Sequence, residues 1–336
     1  MYIVTGAAGF IGSVIVHKLN QEGIHNIMCV DRLGKDDRWK NLRGLKYYEF
    51  VHADEFIDPE ILNAIFDEGV SGIYHMGACS DTTERDMDYL MKNNVEFTQI
   101  LFRYATEYNV PICYASSAAT YGDGELGYND DEKDLANLSP LNGYGYSKQL
   151  VDEWVLKQAR RPDRWFGVKF FNVFGPQEYH KGKMSSVVYQ AFNQINETGK
   201  MKLFKSYKEG FSDGGQTRDF VYVKDVVEAM FDLMHTDHAG ESGIYNLGTG
   251  KGRTFHDLVK ATFSAMGKDE DIEFIPMPEE LRDQYQYFTE ANMEKLHKAL
   301  PNFQFASLEN AVADYVKNHL MQKSQFLKVE GRFTYE

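Results

Sequence analysis

Short apolar runs alternate with longer stretches of helical period along the first half of the chain. The run YIVT at residues 2–5 predicts a buried strand, and the apolar spacing over 11–21 predicts a helix. Further strands are predicted at 26–31, 71–75, 110–115 and 166–171, with helices at 87–108 and 146–158 between them. A short apolar run does not by itself separate a strand from a buried helix. The regular β-α alternation does, and it argues for a parallel sheet with helices on both faces. The pattern loosens after residue 172, where 175–215 is rich in Gly, Lys, Tyr and Ser. A short strand (DFVYV) and a helix follow over 218–234, then a strand at 244–247. Residues 254–320 are helix-rich, with one strand near 272–275. The expected architecture is α/β: a Rossmann-type doubly wound parallel sheet with a smaller α/β substrate domain. The dinucleotide-binding part is expected from 1–172 and 218–247, the substrate part from 173–217 and 248–336. Residues 323–336 read as a loose end.

Charge and cysteine content narrow the function classes. The 336 residues carry a formal net charge of -14. Such a surface disfavours phosphate-backbone binding, so a nucleic-acid partner is not expected. It leaves room for a local basic pocket around one small anion. Cys29, Cys79 and Cys113 are scattered and odd in number, with no CxxC and no Cys/His cluster, so no metal is expected. Free thiols fit a reducing compartment. No apolar run is long enough to cross a bilayer, and no basic region followed by an apolar stretch precedes the first strand. A cytoplasmic protein without a membrane partner is expected.

The first strand runs into GAAGFIG, which places Gly6, Gly9 and Gly12 between a strand and a helix. Glycine allows a tight turn, close approach of backbone to a pyrophosphate and close helix-strand packing. The N–H groups of the following helix would face the anion. Glycine spacing alone is a weak signal; its position between a strand and a helix makes it a strong one. Asp31 ends the second strand about 20 residues on, where a carboxylate can accept bonds from the adenosine ribose and favour NAD. Arg32, Lys35 and Arg38 lie close by and could hold the extra phosphate of NADP. Solvated surface charge accounts equally well for Arg32 and Arg38.

Tyr144 and Lys148 are spaced Tyr-x-x-x-Lys, which puts both on one helix face. A lysine ammonium there would favour the phenolate and lower the tyrosine pKa from about 10. Tyr144 could then act as general base on a substrate hydroxyl. Ser117 ends the strand in ASSAATYG, where its hydroxyl could bond the reacting oxygen. Ser116 competes for that role, and either could serve a strand-end backbone group. Tyr146 lacks a lysine four residues on and reads as packing.

GAAGFIG, ASSAATYG, NGYGYSK, FFNVFGP, TRDFVYVKD and YNLGTG, in this order across nearly the whole chain, resemble the extended short-chain dehydrogenases/reductases. More narrowly, HMGACSDTTE, NVFGPQEYHKGKMSSV and QYFTEANM are similar to the ADP-heptose 6-epimerases of that family. The resemblance implies an isomerase that inverts carbon six of a nucleotide-bound heptose for lipopolysaccharide core synthesis. It implies NADP (NAD being the alternative), one per subunit and tightly held. It also implies a homo-oligomer, a pentamer or a pair of them. Phe10 and Ile11 would line the pyrophosphate, and Asp31 and Arg32 the ribose. Met76, Gly77, Ala78, Cys79, Ser80, Asn93 and Val173 would line the cofactor path. Ser117, Tyr144 and Lys148 would form the catalytic triad, with Lys181 as a second acid/base that also touches cofactor. The residues alone read Lys181 as a flexible loop lysine; the resemblance reverses that reading. Asn172, Phe204, Arg218 and Tyr285 would contact the ADP-sugar, with Arg218 placed for the diphosphate.

This chain departs from the family pattern in three places. Lys183 stands where a small polar residue is expected, Gln190 where a histidine is expected, and residues 205–215 carry an insertion. These departures surround the sugar. The alternatives are a UDP-hexose 4-epimerase or another nucleotide-sugar enzyme and, from another class, a non-enzymatic NADP sensor. Sensors of that kind tend to lose the tyrosine or the lysine, and both are present here. A 4,6-dehydratase would carry Thr-Asp-Glu after the strand end, where this chain has Ser-Ala-Ala-Thr.

Overall fold

The computed structural model describes residues 1–236, 240–282 and 286–329. Seven parallel strands form the central sheet, with β11, β6, β5, β4, β1, β2 and β3 in spatial order. In chain order the strands are β1 (Tyr2–Thr5), β2 (Ile27–Asp31), β3 (Glu49–His52), β4 (Gly72–His75), β5 (Ile112–Ser117), β6 (Trp165–Phe170), β7 (Asn172–Phe174), β8 (Met201–Phe204), β9 (Thr217–Arg218), β10 (Phe220–Tyr222), β11 (Gly243–Leu247), β12 (Arg253–Thr254) and β13 (Ile272–Ile275). β1, β2, β4 and the first part of β5 are buried on both faces, as near-continuous apolar runs in a parallel sheet must be. The strand order reverses between β1 and β4, so their carboxyl ends open a crevice at the switch point.

Several elements were not legible in the apolar pattern. β3, at the sheet edge, has exposed ends and a half-buried middle, and the helix Pro59–Glu68 comes after it. Residues 175–215, where the apolar pattern loosens, hold the helix Val187–Thr198 and β8, which pairs in parallel with β13. The helix expected over 87–108 is divided, with a wide turn at Met91–Glu96 between Met87–Leu90 and Phe97–Glu107. The tail is also not a loose end in its described part. Val329 N–H donates to the Gly44 carbonyl at 3.0 Å, and Leu327 is buried.

The helix Gly143–Leu156 starts earlier than the apolar period suggests. Asn142 caps it by accepting from Gly145 N–H at 2.8 Å. Gly145 is required there, because a Cβ would lie 2.7 Å from the Ala119 carbonyl oxygen. The helix therefore seats directly on the turn that leaves β5. A fully buried ion pair locks this junction. Lys169 Nζ lies 2.7 Å from Asp152 Oδ2 and donates to Thr120 Oγ1 at 2.7 Å. Ser116 Oγ and Tyr114 OH also donate to the Asp152 carboxylate, at 2.6 and 3.1 Å. The pairing of Ser116 with Lys169 across β5 and β6 brings these groups together.

Removing one partner of such a pair leaves a buried charge without compensation. Lys169→Met should lower unfolding free energy by about 3–5 kcal/mol. The double variant Asp152→Leu/Lys169→Met should recover most of that loss. Urea denaturation of the two variants checks both expectations.

Candidate active site

The phosphate loop is built as its glycines suggest. A Cβ on Gly12 would lie 2.1 Å from the Gly6 carbonyl oxygen, so the first turn of the helix Phe10–Gln21 packs straight onto the loop. Gly9 begins that helix with no side chain capping it, which leaves first-turn N–H groups for an anion. Asp31 Oδ2 accepts from Ala8 N–H at 2.9 Å and Oδ1 from Arg32 N–H at 2.7 Å. Its carboxylate is thus fixed at the end of β2, beside the loop. Burial raises its pKa, and these N–H bonds and Arg38 oppose the rise. These groups fit a dinucleotide. Arg32 and Arg38 are not idle surface charges. Arg32 Nε donates to Asp54 at 3.0 Å, Arg38 chelates Asp36 at 2.8–3.1 Å, and Arg38 Nη1 lies 3.9 Å from Asp31.

Residues 76–80 leave β4 along the crevice. Thr5 Oγ1 accepts from Gly77 N–H at 2.9 Å and bonds His75 Nδ1 at 2.7 Å; His75 Nε2 lies 2.9 Å from Thr98 Oγ1. Asn94 holds the path further on. It accepts from Cys79 N–H at 2.8 Å, donates to the Cys79 carbonyl at 3.0 Å and donates to Ser147 Oγ at 2.9 Å. Sequence reasoning singled out Asn93, which is buried and donates to the Tyr89 carbonyl at 2.8 Å. No local signal separates the two asparagines; the contact from Asn94 to the Tyr144 helix does.

Ser117, Tyr144 and Lys148 meet where β5 ends. Ser117 Oγ accepts from Ala119 N–H at 3.1 Å and stands close enough to the Tyr144 phenol to favour its ionised form. Ser116 is committed to Asp152 instead. Lys148 is buried and donates to the Ala115 carbonyl at 2.9 Å. Burial pulls its pKa down to about 8, against the pull of Asp152. Burial also raises the Tyr144 phenol, while the Ser117 hydroxyl lowers it. In the chain alone the Tyr144 phenol therefore lies above its ordinary value, where the spacing to Lys148 suggests a lowering. Tyr146, expected as packing, is 48% exposed.

Lys181 approaches from another element, the turn Tyr179–Met184. Its Nζ lies 5.3 Å from the centre of the Phe10 ring, over the phosphate loop. Burial lowers its pKa, and Glu178 opposes the shift. Val173 is half-buried and Asn172 exposed on β7, with Asn172 N–H on the Asp219 carbonyl at 3.0 Å. Lys183 and Gln190 are exposed neighbours: the Gln190 carboxamide donates to the carbonyls of Lys183 and Ser185 at 3.2 and 2.7 Å. Phe204 ends β8, and Arg218 is buried with its guanidinium 5.6 Å from the Phe255 ring centre. Tyr285 lies outside the described residues. Among the described residues no cluster of His, Cys, Asp and Glu could hold a metal, and no helix is long and apolar enough to span a membrane.

A glycine-rich helix N-terminus with a Ser-Tyr-Lys cluster at the switch point of a parallel sheet defines a nicotinamide-dependent enzyme. Residues 2–248 match the model of the NAD dependent epimerase/dehydratase family, and the chain belongs to that family. It is 50% identical over 335 residues to the ADP-L-glycero-D-manno-heptose-6-epimerase of Fusobacterium nucleatum, spanning 97% of this chain and 100% of that one. It is also 50% identical over 327 residues to the enzyme of that name from Nitratidesulfovibrio vulgaris, again over 97% and 100% of the two chains. The crystal structure of the Helicobacter pylori ADP-L-glycero-D-manno-heptose-6-epimerase is 28% identical, with a TM-score of 0.78, over 94% of this chain and 95% of that one.

The buried His75 sets a pH dependence on the fold. Burial lowers its pKa to about 3, so the folded chain holds it neutral, whereas the unfolded chain takes up a proton below about 6.5. The unfolded state binds more protons in that window, and stability is lost as pH falls from about 6.5 toward 3. The urea midpoint should fall on acidification through this range, and His75→Gln should flatten the slope.

Proposed function

We propose that this chain is an ADP-L-glycero-D-manno-heptose 6-epimerase. It converts ADP-D-glycero-D-manno-heptose into its carbon-six epimer for lipopolysaccharide core synthesis. The full-length 50% identity to enzymes of that name carries the reading. The meeting of Ser117, Tyr144 and Lys148 beside the phosphate loop, with Lys181 reaching over Phe10, supports it.

Tyr144 takes the proton of the carbon-six hydroxyl, and Ser117 holds the oxygen. Lys148 keeps its charge beside the pair and steadies the phenolate. A bound nicotinamide, held by the first-turn N–H groups after Gly9 and by residues 76–80, would supply the hydride acceptor and donor for carbon six. Carbon six is exocyclic, so rotation about one bond exchanges its faces. The two epimers place their hydroxyls differently, and Lys181 serves the second one. Arg218 pairs with the diphosphate, and Asn172, Lys183, Gln190 and Phe204 surround the sugar and nucleotide. Tyr285 is assigned to the same site.

The cofactor we assign is NADP. Arg32 and Arg38 flank Asp31, and each can exchange its carboxylate partner for an added phosphate. One cofactor per subunit stays bound, because the hydride must return in the same site. Phe10, Ile11 and residues 76–80 line it, together with Asn93 and Val173. Residues 1–172 and 218–247 form the dinucleotide part and the remainder the substrate part. The protein works in the cytoplasm as a homo-oligomer, assigned as a pentamer.

Purified protein given ADP-D-glycero-D-manno-heptose, with no added cofactor, should form the second epimer by proton NMR. NADP should be the dinucleotide released on denaturation. Tyr144→Phe should cut turnover by at least about a hundredfold and keep the cofactor. No conversion of the heptose, together with conversion of UDP-glucose, would replace this reading with a hexose 4-epimerase.

A further inference from the structure

Residues after the last helical turn pack back onto the cofactor side of the molecule. Tyr179 donates its phenol to the Gln325 carbonyl at 2.8 Å and meets the Phe326 ring edge-on at 5.2 Å. Leu327 N–H donates to Gln177 Oε1 at 3.1 Å. Val329 N–H donates to Gly44, and the Arg43 guanidinium lies 5.7 Å from the Phe326 ring centre. This strap touches residues 43–44 on one side and 177–179 on the other.

Gln177 is the hub between them. Its side chain is fully buried, and its φ is +82°, a conformation a non-glycine residue keeps only when its surroundings enforce it. Its Nε2 donates to the Asn41 carbonyl at 2.9 Å and lies 3.4 Å from Ser13 Oγ in the first turn after the phosphate loop. Asn41 Nδ2 donates back to the Gln177 carbonyl and to the Ala8 carbonyl, both at 2.9 Å. The helix after the phosphate loop, Asn41 and the strap therefore meet on the Gln177 carboxamide, two residues before the Lys181 turn begins. Glu178 closes the other side of that turn, accepting from Gly175 N–H and from the Ser186 hydroxyl.

We propose that the strap, residues 325–329, is a positioning element of the active site, acting through Gln177 and Tyr179 to fix the turn that aims Lys181 across the phosphate loop. The proposal rests on the reading of Lys181 as the second acid/base. A lysine side chain has four rotatable carbons and much freedom to lose, and acid/base catalysis tolerates little misplacement. Within the turn, Lys181 N–H donates to the Glu178 carbonyl at 3.0 Å, but the helical run stops there. Gly182, immediately after Lys181, sits at φ +54° and breaks the helical conformation. Precision at Lys181 therefore also draws on bonds from outside the turn, and two of its anchors, Gln177 and Tyr179, lead to the strap.

Two full-length variants test this in the holoenzyme. Leu327→Pro removes the N–H that reaches Gln177, and Phe326→Ala, the milder change, removes the ring on Tyr179. Lysines are methylated reductively with 13C-formaldehyde, and the Lys181 signal, assigned against Lys181→Arg, is titrated by NMR. In the native chain it should titrate below the ordinary lysine range, because the site is buried. In Leu327→Pro the titration should move back up. Turnover should drop by about tenfold or more, with KM within about twofold and cofactor still bound. Phe326→Ala should move both readouts the same way by less. Unchanged Lys181 titration and unchanged kcat in both variants, with only a lowered melting temperature, would overturn the proposal. Full turnover in Lys181→Ala would instead sink the acid/base reading, while the titration would still judge the strap.

Discussion

The junction between the end of β5 and the start of the Tyr144 helix is the constraint on which the site depends. Ser117 comes from the strand, Tyr144 and Lys148 from the helix, and beyond the Lys148 bond to the Ala115 carbonyl the register of the two elements is set by their neighbours. The Asp152–Lys169 pair does so from below, gathering Ser116, Tyr114 and Thr120 into one buried cluster. Burying a charge pair is costly unless each partner is fully bonded, and here Asp152 accepts from three side chains. Gly145 completes the junction by letting the helix touch the Ala119 carbonyl. A bulkier residue there would lift Tyr144 away from Ser117.

The opposite wall of the site is built differently. The β5 junction is held by charge at the core of the sheet, while the Lys181 turn is held by amide bonds at the rim. Asn41 and Gln177 exchange side-chain-to-carbonyl bonds, and the strap closes over them. The Ser117, Tyr144 and Lys148 cluster thus stands where a strand meets a helix, and Lys181 stands on a tied loop. That division suits a reaction in which the substrate carbon must be presented from two faces while the cofactor stays fixed. The acidic surface leaves room for an anion at the helix start, where no side chain caps the first-turn N–H groups, and Arg32 and Arg38 hold Asp54 and Asp36 in place.

Features carried by neighbours in sequence were legible before the fold was known. GAAGFIG joins a strand to a helix within a few residues, and Tyr144 and Lys148 are one helical turn apart, so local spacing suffices for both. The parallel sheet was legible because buried strands are uninterrupted apolar runs. β3 was not, because an edge strand with half-exposed positions lacks that run. Asn94, Asp152, Lys169, Asn41 and Gln177 were not singled out, because each acts through partners dozens of residues away. The same holds for the tail, whose sequence is unremarkable until Gln177 and Tyr179 receive it. The pKa relation of Tyr144 and Lys148 was misjudged for a related reason: spacing gives their proximity, while burial, which spacing does not reveal, dominates both groups.

In the proposed reaction carbon six is oxidised and reduced again within one closed site. The most direct measurement uses ADP-D-glycero-D-manno-heptose carrying deuterium at carbon six, mixed with unlabelled substrate bearing a 13C tag. Mass spectrometry of the product should find the deuterium retained at carbon six, none in solvent, and none transferred to the tagged molecules within a turnover at which the cofactor stays bound. Deuterium lost to solvent would contradict the account and point to removal of a proton from that carbon in place of a hydride.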